Sequence, residues 1–225
     1  MDHSRKKIAV YRSQGPQVYK LILEQQQSLF EELLHCKQNN LPTQNHLIFC
    51  EHHPVYTLGK NGSMDNLLFD PSTSDADFIQ IDRGGDITFH GPGQMVAYPI
   101  VDLDNFGIGT AVFVELLEQA VIDLLSQYSI NSERLPNAAG IWVNTQTQPQ
   151  KICAVGIKVS KHITMHGIAL NINTDLGWFD KIVPCGLKNL GVTSMQTQKG
   201  VSLDLKEIEK KFIEVISSKL DATLY

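Results

Sequence analysis

Two short stretches carry residue types whose spacing could do chemistry. The first is RGGDITFHGPGQMVAYP, Arg83 to Pro99. Four glycines and a proline crowd its first eleven residues, beside Arg83, Asp86, His90 and Gln94. Glycine gives the backbone freedom at an entropic cost, so this density marks tight turns or a close approach of main chain to something else. A plain hairpin turn would not need Arg, His and Gln beside its glycines. The second stretch is VPCGL, where Cys185 stands between Pro184 and Gly186, a setting that suits a rigidly held, exposed side chain. A free thiol has a pKa of about 8.5 and is only slightly ionised at neutral pH; a neighbouring cation raises the thiolate fraction.

Lys151, Lys158 and Lys161 are the candidates for that cation, and sequence spacing alone does not rank them. Cys36, Cys50 and Cys153 read as small packing residues, Cys153 alternating with Ile152 and Ala154 on a strand. His90 could serve as hydrogen-bond donor, base or structural prop. His52, His53 and His166 lie near the same segments, but no HExxH or comparable ligand spacing appears, so no metal is expected. The Gly107–Gly109 pair lacks the third glycine of a dinucleotide fingerprint, and the helix after it reads as core.

These residues need a scaffold, and the hydrophobic pattern supplies one. A short strand is expected at Lys7–Arg12, then an amphipathic helix from about Gln17 to Cys36, with Leu21, Ile22, Leu29 and Leu33 at mostly helical spacing. HLIFCEH (His46–His52) reads as a buried strand, and Gly59–Gly62 as a turn. Asn66–Asp77 is polar, contains Pro71, and reads as a mobile excursion. FIQIDRGG and MVAYPIVDL are strands on either side of the glycine-rich loop. Thr110 is expected to cap a helix reaching Tyr128. GIWVN is a strand, and KICAVGIKV with ITMHGIALNIN is the clearest hairpin. A last helix, Leu205–Leu220, follows Asp204 and Glu207 spaced as a capping box. Strands clustered in the middle with helices early, midway and late favour an α+β fold, and the 225 residues read as a single domain.

The blocks RGG-x-x-T-x-HGPGQ-x-x-x-YP, KICAVGIKV with HGIALNIN, and VPCGL occur in the order found in the lipoyl (octanoyl) transferases, which this sequence resembles over roughly half its length. The HPVYTLGKNG block, with Pro54 and Gly59, matches more loosely. The resemblance implies the fold of the biotin and lipoate protein ligase catalytic domains, a mixed sheet flanked by helices. It places the catalytic pair at Cys185 and Lys151. It places the substrate-binding positions at Arg83, Gly84, Gly85, Asp86, Ile87, Thr88, Phe89 and His90, at Ala154, Val155 and Gly156, and at Gly167, Ile168 and Ala169. Asp86 and Ile87 fall where the family varies. The implied donor is octanoyl-acyl carrier protein, and the implied acceptors are lipoyl domains of oxo-acid dehydrogenases and the glycine-cleavage H protein, with no cofactor. Small residues in the last two blocks would leave room for an eight-carbon chain.

Composition narrows the alternatives. The chain is 42% hydrophobic and 19% charged, as ordinary globular proteins are. A net charge of −5 argues against nucleic acid, and no apolar run approaches the roughly 20 residues that cross a bilayer. The start of the sequence lacks an apolar signal core, so a cytoplasmic place is expected, with reduced thiols. Asp65–Asp86 holds six Asp and one Arg, whereas Lys151–Lys188 holds five Lys and two Asp, a possible basic face for an acidic carrier. Three rival readings remain: an ATP-dependent lipoate or biotin ligase, a thioesterase with the same nucleophile, and a non-catalytic carrier-binding module.

Overall fold

Alternating apolar residues sort themselves onto the two faces of one large mixed sheet in the computed structural model, which describes residues 6–136, 138–144, 146–183 and 190–225. In chain order the elements are β1 (Lys7–Gln17), α1 (Tyr19–Gln38), β2 (Asn45–His52), β3 (Val55–Leu58), β4 (Asp77–Gln80), β5 (Ile87–His90) and β6 (Gln94–Ile100). There follow α2 (Thr110–Gln127), β7 (Glu133–Leu135), β8 (Ala138–Val143), β9 (Gln150–Ser160) and β10 (Ile163–Asn171). The chain ends with β11 (Gly191–Val192), α3 (Met195–Lys199), α4 (Leu205–Leu220) and β12 (Thr223–Leu224). Among the described residues the main sheet runs β12-β1-β2-β6-β10-β9-β8-β7, and β11 also pairs with β9. β1 is parallel to β2 and β12, and the middle of the sheet is antiparallel. The fold is α+β, a mixed sheet with helices on both faces.

The period of two along each strand decides which helix it meets. Leu47, Phe49, Met95, Ala97, Ile168 and Leu170 point to the face covered by Phe113, Leu117 and Val121 of α2 and Ile208, Phe212 and Ile216 of α4. Their neighbours Ile48, Cys50, Val96, Tyr98 and Ala169 point to the opposite face, against Ile22, Phe30 and Leu33 of α1. Each fully buried large side chain contributes about 1.5–3 kcal/mol, so packing on the two faces holds the sheet between its helices.

A second, three-stranded sheet, β4-β3-β5, is inserted between β2 and β6. Those two strands nevertheless pair directly, from His46 with Ile100 to Cys50 with Val96. The small sheet has its own aromatic packing, in which Phe89 stacks on Trp178 at 5.2 Å and meets Tyr56 at 5.3 Å.

Four local expectations need correction. β1 continues to Gln17 through a register shift between Arg12 and Pro16, where Gly15 takes φ +70°; the irregularity hid the second half of the strand from the alternation. Gly109, not Thr110, is the N-cap of α2, and no side chain caps that end. Asp204 does cap α4, its carboxylate accepting from the Lys206 and Glu207 amides, while the Glu207 carboxylate pairs with Lys211 at 2.8 Å. The Asn66–Asp77 stretch is pinned rather than a free excursion. Leu67 bridges to Ile182, the Leu68 amide donates to Lys181 O, and the Val183 amide donates to Asn66 O.

Candidate active site

A cavity opens between the α1 face of the main sheet and the inserted sheet, with the glycine-rich loop as one wall. Arg83, Gly85, Asp86, Ile87, Thr88 and His90 line it from the loop and β5. Lys151, Ala154, Val155 and Gly156 line it from β9, and Gly167, Ile168 and Ala169 from β10. Two of the positions carried over by resemblance lie elsewhere. Phe89 is fully buried in the aromatic packing of the inserted sheet, and Gly84 backs onto β9, its amide donating to Ile157 O at 3.2 Å.

Arg83 holds the loop in shape. It donates to the Gly84 carbonyl (3.0 Å), the Asp86 carbonyl (2.8 Å) and both the carbonyl and hydroxyl of Thr57 (3.1 Å each). The Asp86 carboxylate serves a different purpose, accepting from the Ile87 and Ser63 amides and the Asn66 side chain. Gly156 is small because the loop lies on it: a Cβ there would stand 2.9 Å from Gly84 O and 3.3 Å from Arg83 Cδ. At Gly167 a Cβ would stand 2.0 Å from Ala97 O. Both glycines line the cavity, and neighbouring groups also leave no room for a Cβ at either position.

The loop's polar residues extend into a buried chain of hydrogen bonds. Gln94 Nε2 donates to Asn171 Oδ1 (2.9 Å) and Phe89 O (3.2 Å), so its oxygen faces His90 Nδ1 at 2.8 Å. His90 therefore carries its proton on Nδ1, and its Nε2 lies 3.4 Å from the Thr57 hydroxyl. Burial lowers the His90 pKa to about 3, and nearby His52 adds to this. The imidazole is thus held on both sides, by Gln94 and Thr57, at the cavity wall. Asn171 continues the chain, donating to Thr193 O at 3.0 Å, and the Thr193 amide donates to Lys151 O at 2.9 Å.

Lys151 thus sits at the far end of a continuous network from Arg83. β8 and β11 flank its backbone, with Trp142 and Val192 as its partners. The side chain is only 7% exposed, with Nζ 4.8 Å from the centre of the Trp142 ring. Its stem runs past Gly140, where φ is +108° and a Cβ would stand 2.5 Å from Cys153 O. The competing lysines are placed otherwise. Lys158 pairs with Asp82 at 2.5 Å, and Lys161 is an exposed turn residue with φ +48°. With Lys151 buried and Lys158 paired, the basic stretch is less of an open face than its composition implies.

Cys185 lies outside the described residues. The described chain on either side of 184–189 is anchored, Val183 to Asn66 and Gly191–Val192 alongside Gln150–Lys151. Burial raises the thiol pKa of Cys50 and of Cys153 well above the ordinary range, consistent with packing; Cys36 is half-buried.

The family profile described as lipoyl protein ligase A/B catalytic domain matches residues 19–217. An octanoyltransferase of Christiangramia forsetii is 43% identical over 224 residues, covering 95% of this chain and 96% of the relative. One from Bacteroides fragilis is 47% identical over 186 residues, covering 81% and 84%. The chain belongs to the octanoyltransferase family.

Solved structures agree on the fold. The bipartite lipoate protein ligase of Thermoplasma acidophilum superposes with a TM-score of 0.69 at 14% identity, covering 97% of this chain and 85% of that one. A lipoate-protein ligase A bound with ATP gives 0.69 at 15% identity, covering 97% and 87%. Within this octanoyltransferase, sequence reasoning missed several cavity residues: Tyr19, Val96, Tyr98, Asn171, Phe179 and Val192. Tyr98 and Asn171 lie inside the recognised YP and ALN motifs, so their signal was present but unassigned. Tyr19 and Phe179 come from elements whose approach to the cavity is set by tertiary packing.

Proposed function

We propose that this protein, as one domain over residues 1–225, moves an octanoyl group from octanoyl-acyl carrier protein to the lysine amine of lipoyl domains through a Cys185 thioester. The observation that carries the reading is Lys151, a buried amine lining a cavity whose opposite wall is the glycine-rich loop. Lys151 accepts the Cys185 proton, and the thiolate attacks the donor thioester carbon. The carrier's sulfur leaves and takes the proton back from Lys151. The acceptor amine then attacks the Cys185 acyl carbon, Lys151 takes a proton from that amine, and the Cys185 thiolate leaves and takes that proton from Lys151, restoring the thiol and the amine. The amide forms downhill from a thioester, with no ATP and no cofactor. Backbone amides beside the cavity are the expected donors to the carbonyl oxygen as charge develops on it, at about 3 kcal/mol each.

The acceptors are the lipoyl domains of oxo-acid dehydrogenases and the glycine-cleavage H protein, and the protein works in the cytoplasm without nucleic acid or membrane. No described helix is long and apolar enough to cross a bilayer. The test is intact-protein mass spectrometry after mixing with octanoyl-acyl carrier protein without ATP, for the native chain and Cys185→Ala. An octanoyl adduct on the native chain only, discharged by a lipoyl domain, is expected. An adduct that persists in the variant, or transfer that requires ATP, overturns the thioester mechanism.

A further inference from the structure

One line of side chains crosses the main sheet beneath the cavity. Ala154 of β9 pairs with Ala169 of β10, Ala169 with Val96 of β6, and Val96 with Cys50 of β2. The first three line the cavity, and Cys50 does not. What separates them is a bar of hydrogen-bonded rings. Tyr98 pairs in register with Ile48, two residues before Cys50, yet its hydroxyl lies 2.8 Å from Nε2 of His52, two residues after Cys50. The Tyr98–His52 link therefore passes over the end of the line, with the Cys50 sulfur 3.4 Å from the same Nε2.

The bar is fixed in place. His52 Nδ1 faces the Gln17 carbonyl at 3.4 Å, so Nδ1 carries the proton and Nε2 accepts from Tyr98. The Tyr19 ring packs on His52 with centroids 4.9 Å apart. Tyr19, His52 and Tyr98 are 2%, 0% and 3% exposed. With the Tyr98 hydroxyl and His52 Nε2 turned to one another, the rings close this end of the cavity.

We infer that this Tyr98–His52 bar, backed by Tyr19, is the stop that sets the length of acyl chain transferred; the inference rests on the transferase reading above. Three strand spacings of about 4.8 Å separate Ala154 on β9 from Cys50 on β2, roughly 14 Å in all. An extended octanoyl chain is roughly 9 Å from carbonyl carbon to methyl with C–C bonds of about 1.5 Å. The methyl needs about 4 Å more to reach contact with a ring. A chain two or four carbons longer meets the bar.

The experiment compares kcat/KM for hexanoyl-, octanoyl-, decanoyl- and dodecanoyl-acyl carrier protein with a lipoyl domain as acceptor. The native chain is expected to fall at least about tenfold from octanoyl to decanoyl, the scale of a misplaced methylene in an apolar pocket. Tyr98→Phe keeps the ring and retains the cut. Tyr98→Val opens the way to Cys50 and narrows the decanoyl deficit by about tenfold. Ala169→Val raises the floor before the bar and moves the preference toward hexanoyl. A native profile flat from octanoyl to dodecanoyl overturns the stop, and so does an unchanged ratio in folded Tyr98→Val. The native series decides the matter even if that variant does not fold. Absence of transfer from every carrier would instead remove the transferase reading, and the stop with it.

Discussion

Replacing Gly167 by alanine separates two reasons for a small residue at the cavity floor. The added Cβ would lie 2.0 Å from Ala97 O and 2.7 Å from Pro99 Cδ, neither of which is the end of a flexible side chain. Restoring ordinary contact at about 3.5 Å moves β10 from β6 by more than about 1 Å. These strands are paired through Ile168–Ala97 to Asn171–Gln94 at the centre of the sheet. Overpacking costs about 1–3 kcal/mol, and each ladder hydrogen bond lost about 1 more, so Gly167→Ala should lose about 3–5 kcal/mol. That is a large part of the 5–15 kcal/mol typical of a domain. Urea unfolding at pH 7.5 measures it, with the native chain and Gly84→Ala as references. At Gly84 the Cβ meets only Ile157 O, at 3.3 Å, and a loss under about 1 kcal/mol is expected. If Gly167→Ala costs no more than Gly84→Ala but abolishes transfer, the acyl chain and not the β6 backbone keeps the position small, and the packing argument fails.

Gly156→Ala presses on Gly84 O and Arg83 Cδ rather than on the core; transfer should fall about tenfold or more for a stability loss of about 1–2 kcal/mol. Equal percentage losses in both would contradict it. Asp86→Ala releases Asn66, whose carbonyl holds Val183, so the transfer rate should drop further than a stability change of about 1–2 kcal/mol explains, read from turnover beside unfolding midpoints. Burial lowers the pKa of His52 to about 4, His90 to about 3 and His166 to about 4, against about 6.5 when unfolded. Their neutral native forms give stability that is complete above pH 6.5 and drains as pH falls toward 4, because the unfolded chain takes up protons first; several kcal/mol should be lost, and urea midpoints unchanged from pH 7.5 to 5 would refute it. At pH 7.5 iodoacetamide should leave the buried Cys50 and Cys153 unmodified while labelling Cys185, as peptide mass mapping would report.

The β9–β10 hairpin and the helices α1, α2 and α4 were legible because their signals are local, a period of two or of 3.6 within one segment. Asn66–Asp77 looked free because what ties it down, Ile182 and Asp86, lies far along the chain. The same holds at the site. Nothing in the spacing of Lys151, Lys158 and Lys161 chose among them; the resemblance did, and the fold supplies a physical distinction in Asp82, which occupies Lys158, and Trp142, which shelters Lys151. Phe89 illustrates the opposite limit. A motif carries a run of residues together, but a strand turns alternate ones to opposite sides, and Phe89 went to the aromatic core.

The pairing of β2 with β6 across the inserted sheet bears on how such a protein can vary. The two strands hold each other in register without help from residues 55–90, which amount to a long loop closed at its base by the His46–Ile100 to Cys50–Val96 ladder. The entropy of closing a flexible loop grows only logarithmically with length, about 0.6 kcal/mol per doubling. Lengthening or shortening this insertion therefore leaves the main sheet and the place of Lys151 almost untouched in free energy. One wall of the cavity can be redrawn by insertion and deletion, while the other, built from β6, β9 and β10, changes only one side chain at a time.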